Sequence, residues 1–141
     1  MSDSNKAANL KEKLRQALTS TYKVISDEFE VSNKSDQHKN LDKFDLIELE
    51  NLNTKGDFIK MRAETDSSAL KKKFSNDAIY KKNLPTKSSY KSLYSLAEKI
   101  RCEALGGKMF KGIKKNIIEN YNQIIQLKNK DQLKTKEDVA V

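Results

Sequence analysis

The chain has 141 residues, of which 28 are Lys or Arg and 20 are Asp or Glu, and its formal net charge is +8. Its single cysteine, Cys102, excludes an internal disulfide, and no stretch approaches the roughly 20 consecutive apolar residues of a membrane-spanning helix, so we expect a cytoplasmic protein. With only 4 Gly and 1 Pro, the composition favours a mainly α-helical domain over a turn-rich β-sandwich.

The first predicted helix begins at Ala7, after a polar segment, residues 1–6, that we predict to be a disordered terminus. Apolar side chains recur along it every three or four positions, as they do on one face of an α-helix. The positions of this face are Leu10, Leu14, Ala17, Leu18, Thr21, Ile25 and Phe29. Residues 32–40 contain no apolar side chain and are predicted to form an exposed loop. A short β-hairpin near residues 29–49 is one interpretation of the flanking segments, and a helical turn is the other.

A second helix is predicted to run from Asp57, whose side chain can cap it, to about Phe74. A weaker helical segment, residues 76–84, follows it. Pro85 ends that segment, because a proline disfavours helix at the residue before it.

The clearest apolar stripe follows Pro85 and predicts the face by which the next helix packs. It consists of Tyr90, Leu93, Tyr94, Ala97, Ile100, Ala104 and Leu105. Gly106 and Gly107 come next, where a left-handed cap would need glycine, so we predict a helix hairpin there and a last helix to about Leu127. The expected architecture is about four helices in one domain over residues 7–127. Residues 128–141 are predicted to be a charged tail or the start of a missing C-terminal part.

Residues suited to catalysis are few. His38 and Cys102 share no metal-binding motif, and a zinc site needs three or four ligands. The sequence also lacks the glycine motifs that bind phosphate and the motifs that present a nucleophile. We therefore expect no catalytic, cofactor-binding or metal-binding residue in this segment.

A charged group lies within the helix that follows Pro85. Arg101 is next to apolar positions in helical projection, so it must extend to solvent or find a partner. Glu98, three residues earlier, and Asp66, in the preceding helix, are the two candidate partners. We expect a partly buried pair that fixes how the helices dock. The structural or interface candidates are Asp66, Glu98, Arg101, Glu103, Gly106 and Gly107.

Several of these residues fall into an ordered series of short patterns. Residues 62–70 fit R-x-x-x-D-S-x-A-L, residues 98–106 fit E-x-x-R-x-E-A-L-G, and Met109, Gly112 and Asn116 follow. In this order and spacing the chain resembles the N-terminal region of CobT-type subunits of the aerobic, ATP-dependent cobaltochelatase.

The resemblance implies a non-catalytic portion of an enzyme that inserts cobalt into hydrogenobyrinic acid a,c-diamide in cobalamin biosynthesis. ATP, Mg²⁺ and cobalt are implied for the whole complex and not for this segment. The implied partners are an AAA+ ATPase subunit of the CobS type and a large tetrapyrrole-binding subunit of the CobN type. Neither a membrane nor nucleic acid is an expected partner. A von Willebrand A-like domain, which CobT chains carry, would lie beyond Val141.

Two other interpretations remain open. The first is a stand-alone basic helical module that binds RNA or an acidic protein through a lysine patch, with affinity that falls as salt rises. Its lysines would be Lys71–Lys73, Lys81, Lys82, Lys108, Lys111, Lys114 and Lys115. The second is a small enzyme that uses the Cys102 thiol.

Overall fold

A computed structural model describes residues 3–27 and 52–130, and these residues form five helices. The helices are α1 (Asp3–Ser26), α2 (Lys55–Phe74), α3 (Asp77–Lys82), α4 (Ser88–Met109) and α5 (Lys111–Lys130). The described residues contain no strand, and the predicted mainly α-helical class is confirmed. The possible β-hairpin near residues 29–49 and the segment 131–141 lie outside the described residues.

The first helix begins earlier than predicted. Helix α1 begins at Asp3, inside the segment predicted to be a disordered terminus, and ends at Ser26. Asp27 follows in the left-handed region with φ 60°, a conformation that Asp tolerates better than most residues. The Asp27 carboxylate forms an ion pair with Lys73 of α2, so the end of α1 is attached to the neighbouring helix.

Helix α2 begins before Asp57 because Thr54 is its N-cap. The Thr54 hydroxyl accepts a hydrogen bond from the Asp57 backbone N–H at 3.2 Å, and the Asp57 carboxylate accepts one from the Thr54 N–H at 2.8 Å. This reciprocal capping box satisfies two backbone donors that the helix itself leaves unpaired. Asp57 therefore stabilises the start of α2 from the first turn.

Helix α2 is the central element, and it packs against α1, α4 and α5. The apolar core between these helices is small, as the lean apolar content predicts. It consists of Ile25, Ala69, Leu70, Cys102, Ile113 and Ile117. Tyr22, Phe74, Phe110 and Tyr121 pack around it and are only partly buried.

The predicted helix hairpin at Gly106 and Gly107 is wrong in its position. Helix α4 continues through both glycines to Met109, and no described glycine has a positive φ. Phe110 alone, with extended backbone (φ −126°, ψ 94°), joins α4 to α5. Gly106 instead lies where α4 closely approaches Leu70 of α2.

The predicted packing face of α4 is also wrong. Cys102, Glu103 and Gly106 are buried against the other helices, whereas Leu93 and Ile100 of the apolar stripe are exposed in the described part of the chain. Helix α4 therefore turns its glycine and its acidic side chains inward. None of the described helices combines the length and the hydropathy that are needed to cross a bilayer.

Candidate functional site

A polar cluster lies where α2, α4 and α5 meet. We define it as Asp66, Ser67, Glu103, Asn116 and Tyr121. Asp66, Ser67 and Glu103 are buried, and each hydrogen bond of the cluster joins side chains from two different helices. The cluster therefore connects the three helices through side chains and not only through apolar contact.

Glu103 joins all three helices. Its Oε1 accepts a hydrogen bond from the Ser67 hydroxyl at 2.6 Å, and its Oε2 accepts one from the Tyr121 hydroxyl at 2.8 Å. The Lys99 ammonium lies 3.9 Å from Glu103 Oε1 and over the Tyr121 ring, 5.8 Å from its centroid. Burial, and then the bond to Glu103, raises the pKa of the Tyr121 hydroxyl, so this hydroxyl remains a donor at neutral pH.

Asp66 makes a separate connection from α2 to α5. Its Oδ2 accepts a hydrogen bond from Asn116 Nδ2 at 2.8 Å. Burial raises the pKa of Asp66, and the bond from Asn116 and the charge of Arg62 only partly oppose this effect. Asp66 is therefore a carboxyl group held where its charged form is disfavoured.

Arg101 contacts Glu98, one of its two predicted partners, and not Asp66. Arg101 Nε donates to Glu98 Oε2 and Nη2 donates to Glu98 Oε1, both at 2.8 Å. Nη2 also donates to the carbonyl oxygen of Phe74 at 2.8 Å. Phe74 is the last residue of α2, whose final carbonyl groups lack helical partners and carry partial negative charge. The pair therefore ties α4 to the end of α2.

The Glu98 carboxylate is strongly stabilised in its charged form. Hydrogen bonds from Arg101, and then from the Ser75 hydroxyl at 2.7 Å, lower the pKa of Glu98 to about 2. The bond to Glu98 correspondingly raises the pKa of Arg101. The Arg101 side chain is 48% exposed, so the predicted partly buried pair is open to solvent on its arginine side.

Gly106 and Gly107 have different surroundings. A Cβ placed on Gly106 would lie 2.2 Å from Leu70 Cδ2 and 2.5 Å from Leu70 Cδ1, distances that no side chain can adopt without a shift. A Cβ on Gly107 would meet only Lys114, at 3.4 Å or more. Of the two predicted candidates, only Gly106 is required by close approach of the helices.

Cys102 does not have the surroundings of a reactive thiol. Its side chain is fully buried in the apolar core, and burial raises the pKa of the thiol. A nucleophilic cysteine needs the opposite, an accessible thiolate with a lowered pKa. The structure therefore gives no support to an enzyme that uses Cys102.

Several lysines of the alternative interpretation lie close to carboxylates. Lys71 and Lys72 line one shallow groove, together with Asp77. Lys111, Lys114 and Lys115 line another, together with Glu119. Lys73 is paired with Asp27. In each of these places a carboxylate accompanies the lysines and reduces the positive charge that a phosphate backbone would meet.

Metal ligands and nucleotide contacts can be considered only for the described residues. Within residues 3–27 and 52–130, no group of three His, Cys, Asp or Glu side chains is arranged to hold a metal ion. His38 lies outside the described residues.

Sequence analysis did not identify four residues as parts of the site: Ser67, Ser75, Asn116 and Tyr121. Ser67 and Asn116 belong to the short sequence patterns R-x-x-x-D-S-x-A-L and Met109, Gly112, Asn116. Their place in those patterns is the signal that could have identified them as site residues. Tyr121 occupies an apolar position of α5, where the role of its hydroxyl is invisible to periodicity. Ser75 follows the end of α2, and nothing in its neighbourhood predicts its bond to Glu98.

Comparison with known proteins gives one match. A family model described as "Cobalamin biosynthesis protein CobT" matches residues 8–141. Searches of curated proteins and of solved structures gave no match. The matched range contains every residue of the polar cluster, the Glu98–Arg101 pair and Gly106.

Proposed function

Since this chain belongs to the CobT family of cobalamin biosynthesis proteins, we propose that it is a non-catalytic assembly portion of an ATP-dependent cobaltochelatase. The substrates of the whole enzyme would be cobalt(II) and hydrogenobyrinic acid a,c-diamide. The chain would act as a rigid helical body that connects the AAA+ ATPase subunit with the large tetrapyrrole-binding subunit.

The strongest support for this role is that residues of the short sequence patterns lie at contacts between helices. Asp66, Ser67, Glu98, Arg101, Glu103, Gly106 and Asn116 all make contacts between helices. Both Glu103 oxygens and both Glu98 oxygens already accept hydrogen bonds from protein groups. Groups committed in this way hold the helices in place, which supports a role in maintaining shape over a role in binding a substrate.

A rigid connecting body needs helices that do not slide against each other. The three links from α2, to Glu103, to Asn116 and to the Glu98–Arg101 pair, fix α4 and α5 at separate points along α2. Directional hydrogen bonds fix register in a way that apolar contact alone does not. Such a body could transmit a movement of an ATPase ring without absorbing it, which is the mechanical coupling that we propose.

The direct test is assembly. The full-length gene product, carrying an affinity tag, would be co-expressed with the CobS-type and CobN-type subunits of the same genome and purified. We expect a complex that contains the ATPase subunit and survives size-exclusion chromatography with ATP present. Elution of the tagged protein alone, with and without ATP, would contradict the proposal.

A binding measurement separates this proposal from the RNA-binding alternative. A single-stranded RNA of mixed sequence would be titrated with the protein over a range of salt concentrations. If a lysine patch of the protein bound the RNA, the affinity would fall steeply as the salt concentration rises. We expect no saturable binding, because the two grooves that contain five of these lysines also contain carboxylates.

A further inference from the structure

Helix α4 carries an apolar face that is directed away from the core. Tyr90, Leu93, Ala97, Ile100 and Ala104 are spaced three, four, three and four residues apart, and we name these five residues the outer seam. All five are exposed in the described part of the chain, and Leu93 and Ile100 are 65% and 52% exposed. The inner face of the same helix holds Cys102, Glu103 and Gly106.

This spacing has a specific structural meaning. Apolar side chains that alternate at intervals of three and four residues form the contact line between two helices that coil around each other. A helix that packs against its own domain on one side does not need such a line on its solvent side. Contiguous apolar side chains on a surface mark interaction sites. The outer seam therefore has the form of a surface that receives another helix.

The charges beside the outer seam indicate what kind of helix it receives. The exposed charged side chains of α4 are all basic, and two of them, Arg101 and Lys108, border the outer seam in helical projection. The two acidic residues of α4, Glu98 and Glu103, face the other helices and are bonded to Ser75, Ser67 and Tyr121. Carboxylates on an incoming helix would find complementary charge here.

A second copy of this chain fits the outer seam less well. Two copies of α4 would bring two sets of exposed cations together, with no exposed α4 carboxylate to meet them. Like charges at the edges of a two-helix contact oppose pairing. The net charge of +8 adds repulsion of the same sign between copies.

We propose that the outer seam of α4 is the docking surface for an amphipathic helix of a partner protein, with apolar residues at the same spacing and Asp or Glu beside them. This inference rests on the proposed assembly role, and it assigns that role to one helix face.

The first experiment measures binding of the purified CobS-type and CobN-type subunits to the full-length gene product by biolayer interferometry. The seam variant carries Leu93→Gln and Ile100→Gln. Its control carries Leu10→Gln and Ile125→Gln, at positions on α1 and α5 that are 67% and 55% exposed, and so match the seam pair in residue type and exposure. Circular dichroism checks that both variants stay helical.

We expect the seam variant to bind one subunit on the order of tenfold more weakly or worse, and the control to bind like the wild type, because interface energy concentrates in a few apolar anchors. Equal binding by the seam variant and the wild type would overturn this inference and leave the proposed function intact. Failure of the wild type to bind either subunit would overturn both.

The second experiment tests the charge of the partner. Lys108→Glu should weaken binding of the same subunit, whereas Lys13→Glu on α1 should not. Binding of the wild type should also weaken between about 0.05 and 0.5 M salt, because salt screens exposed charge pairs. Binding that changes neither with Lys108→Glu nor with salt concentration would overturn the proposal that the partner helix is acidic.

The third experiment tests the other possible occupants. Leu93→Cys places a thiol in the outer seam, and Cys102 contributes little background because it is buried. We expect a maleimide to react rapidly with this thiol in the isolated protein and slowly in the complex. Slow reaction in an isolated monomer would point to the acidic segment 41–52 of the same chain, and slow reaction in a dimer would point to a second copy. Either result would overturn the proposal.

Discussion

The side chain of Leu70 occupies the space in which a Cβ of residue 106 would lie, since its Cδ2 would be 2.2 Å from that atom. Leu70 is fully buried, and Gly106 lies on the inner face of α4, near the C-terminal end of the helix. The missing side chain at Gly106 therefore lets α4 approach α2 closely, and this approach brings Glu103 and Glu98 within reach of Ser67 and Ser75.

Gly106→Ala should lower the free energy of unfolding by about 1–3 kcal/mol, because a methyl group would be forced into a packed core. Gly107→Ala should instead raise it by up to about 1 kcal/mol, since Ala favours helix and the only neighbour is the flexible side chain of Lys114. Urea unfolding followed by circular dichroism at 222 nm measures both. Equal effects of the two substitutions would show that Leu70 does not restrict position 106.

The Glu98–Arg101 pair should stabilise the fold in a pH-dependent way. The pKa of Glu98 is lowered from 4.5 to about 2 in the folded state, so its contribution is fully present above about 4.5 and is lost as pH falls toward about 2. Glu98→Gln should therefore lower the free energy of unfolding by about 1–2 kcal/mol near neutral pH and by much less at the lowest pH. Solvent screening at the exposed Arg101 keeps the loss in this range. A cost that does not change with pH would contradict the assignment.

Arg101→Leu provides a second measurement on the same pair. Because the Arg101 side chain is half-exposed, the loss should be about 1 kcal/mol, which is typical of surface pairs, and not the roughly 3–5 kcal/mol of a buried one. In a double-mutant cycle with Glu98→Gln the two losses should not add, since each substitution removes the same contact. Full additivity would show that the two side chains act independently.

Asp66 should behave in the opposite way with pH. Its folded pKa is raised, so the folded state binds the proton more tightly and stability falls as pH rises from about 3.8 through the folded pKa. Asp66→Asn keeps an oxygen to accept from Asn116 and removes the buried charge. We expect this variant to be about 1 kcal/mol more stable than the wild type at neutral pH, with the gap closing in acid. A variant less stable at neutral pH would indicate that the charged carboxylate is favoured there.

Tyr121→Phe removes one of the two hydroxyl donors to Glu103 without changing the apolar contact. The carboxylate is buried, so losing this donor should cost about 1–3 kcal/mol in chemical denaturation. Tyr90→Phe, on the exposed side of α4, is the matched control and should have almost no effect. A similar small effect of both substitutions would mean that the Tyr121 hydroxyl is equally well bonded to water.

The sequence predicted the helical class and the family well, because both depend on features that are local in the chain. Periodicity identified the long helices, and the ordered patterns around Asp66 and Arg101 led to the CobT family, which the family match confirms. Asn116 is one of those pattern residues, although its bond to Asp66 spans 50 positions and no periodicity could predict it.

The orientation of α4 could not be predicted from periodicity, for a physical reason. The most apolar face of α4 is exposed, and the face that packs inside the domain carries Cys102, Glu103 and Gly106, which a hydrophobic pattern does not identify as a packing face. The choice depends on Gly106, which allows the closest approach, and on partners for Glu98 and Glu103 that lie in another helix. The corner was predicted at Gly106 and Gly107 because a left-handed cap favours glycine, but both glycines are helical and Phe110 forms the corner.

The most direct test of the central claim is cobalt insertion by a reconstituted enzyme. The purified CobS-type and CobN-type subunits would be mixed with hydrogenobyrinic acid a,c-diamide, cobalt(II), Mg²⁺ and ATP, with and without the full-length gene product, and cobalt insertion followed by absorbance. We predict insertion only when all three proteins are present and none by this protein alone. Full activity without it, or insertion by this protein alone, would contradict a non-catalytic role in assembly and coupling.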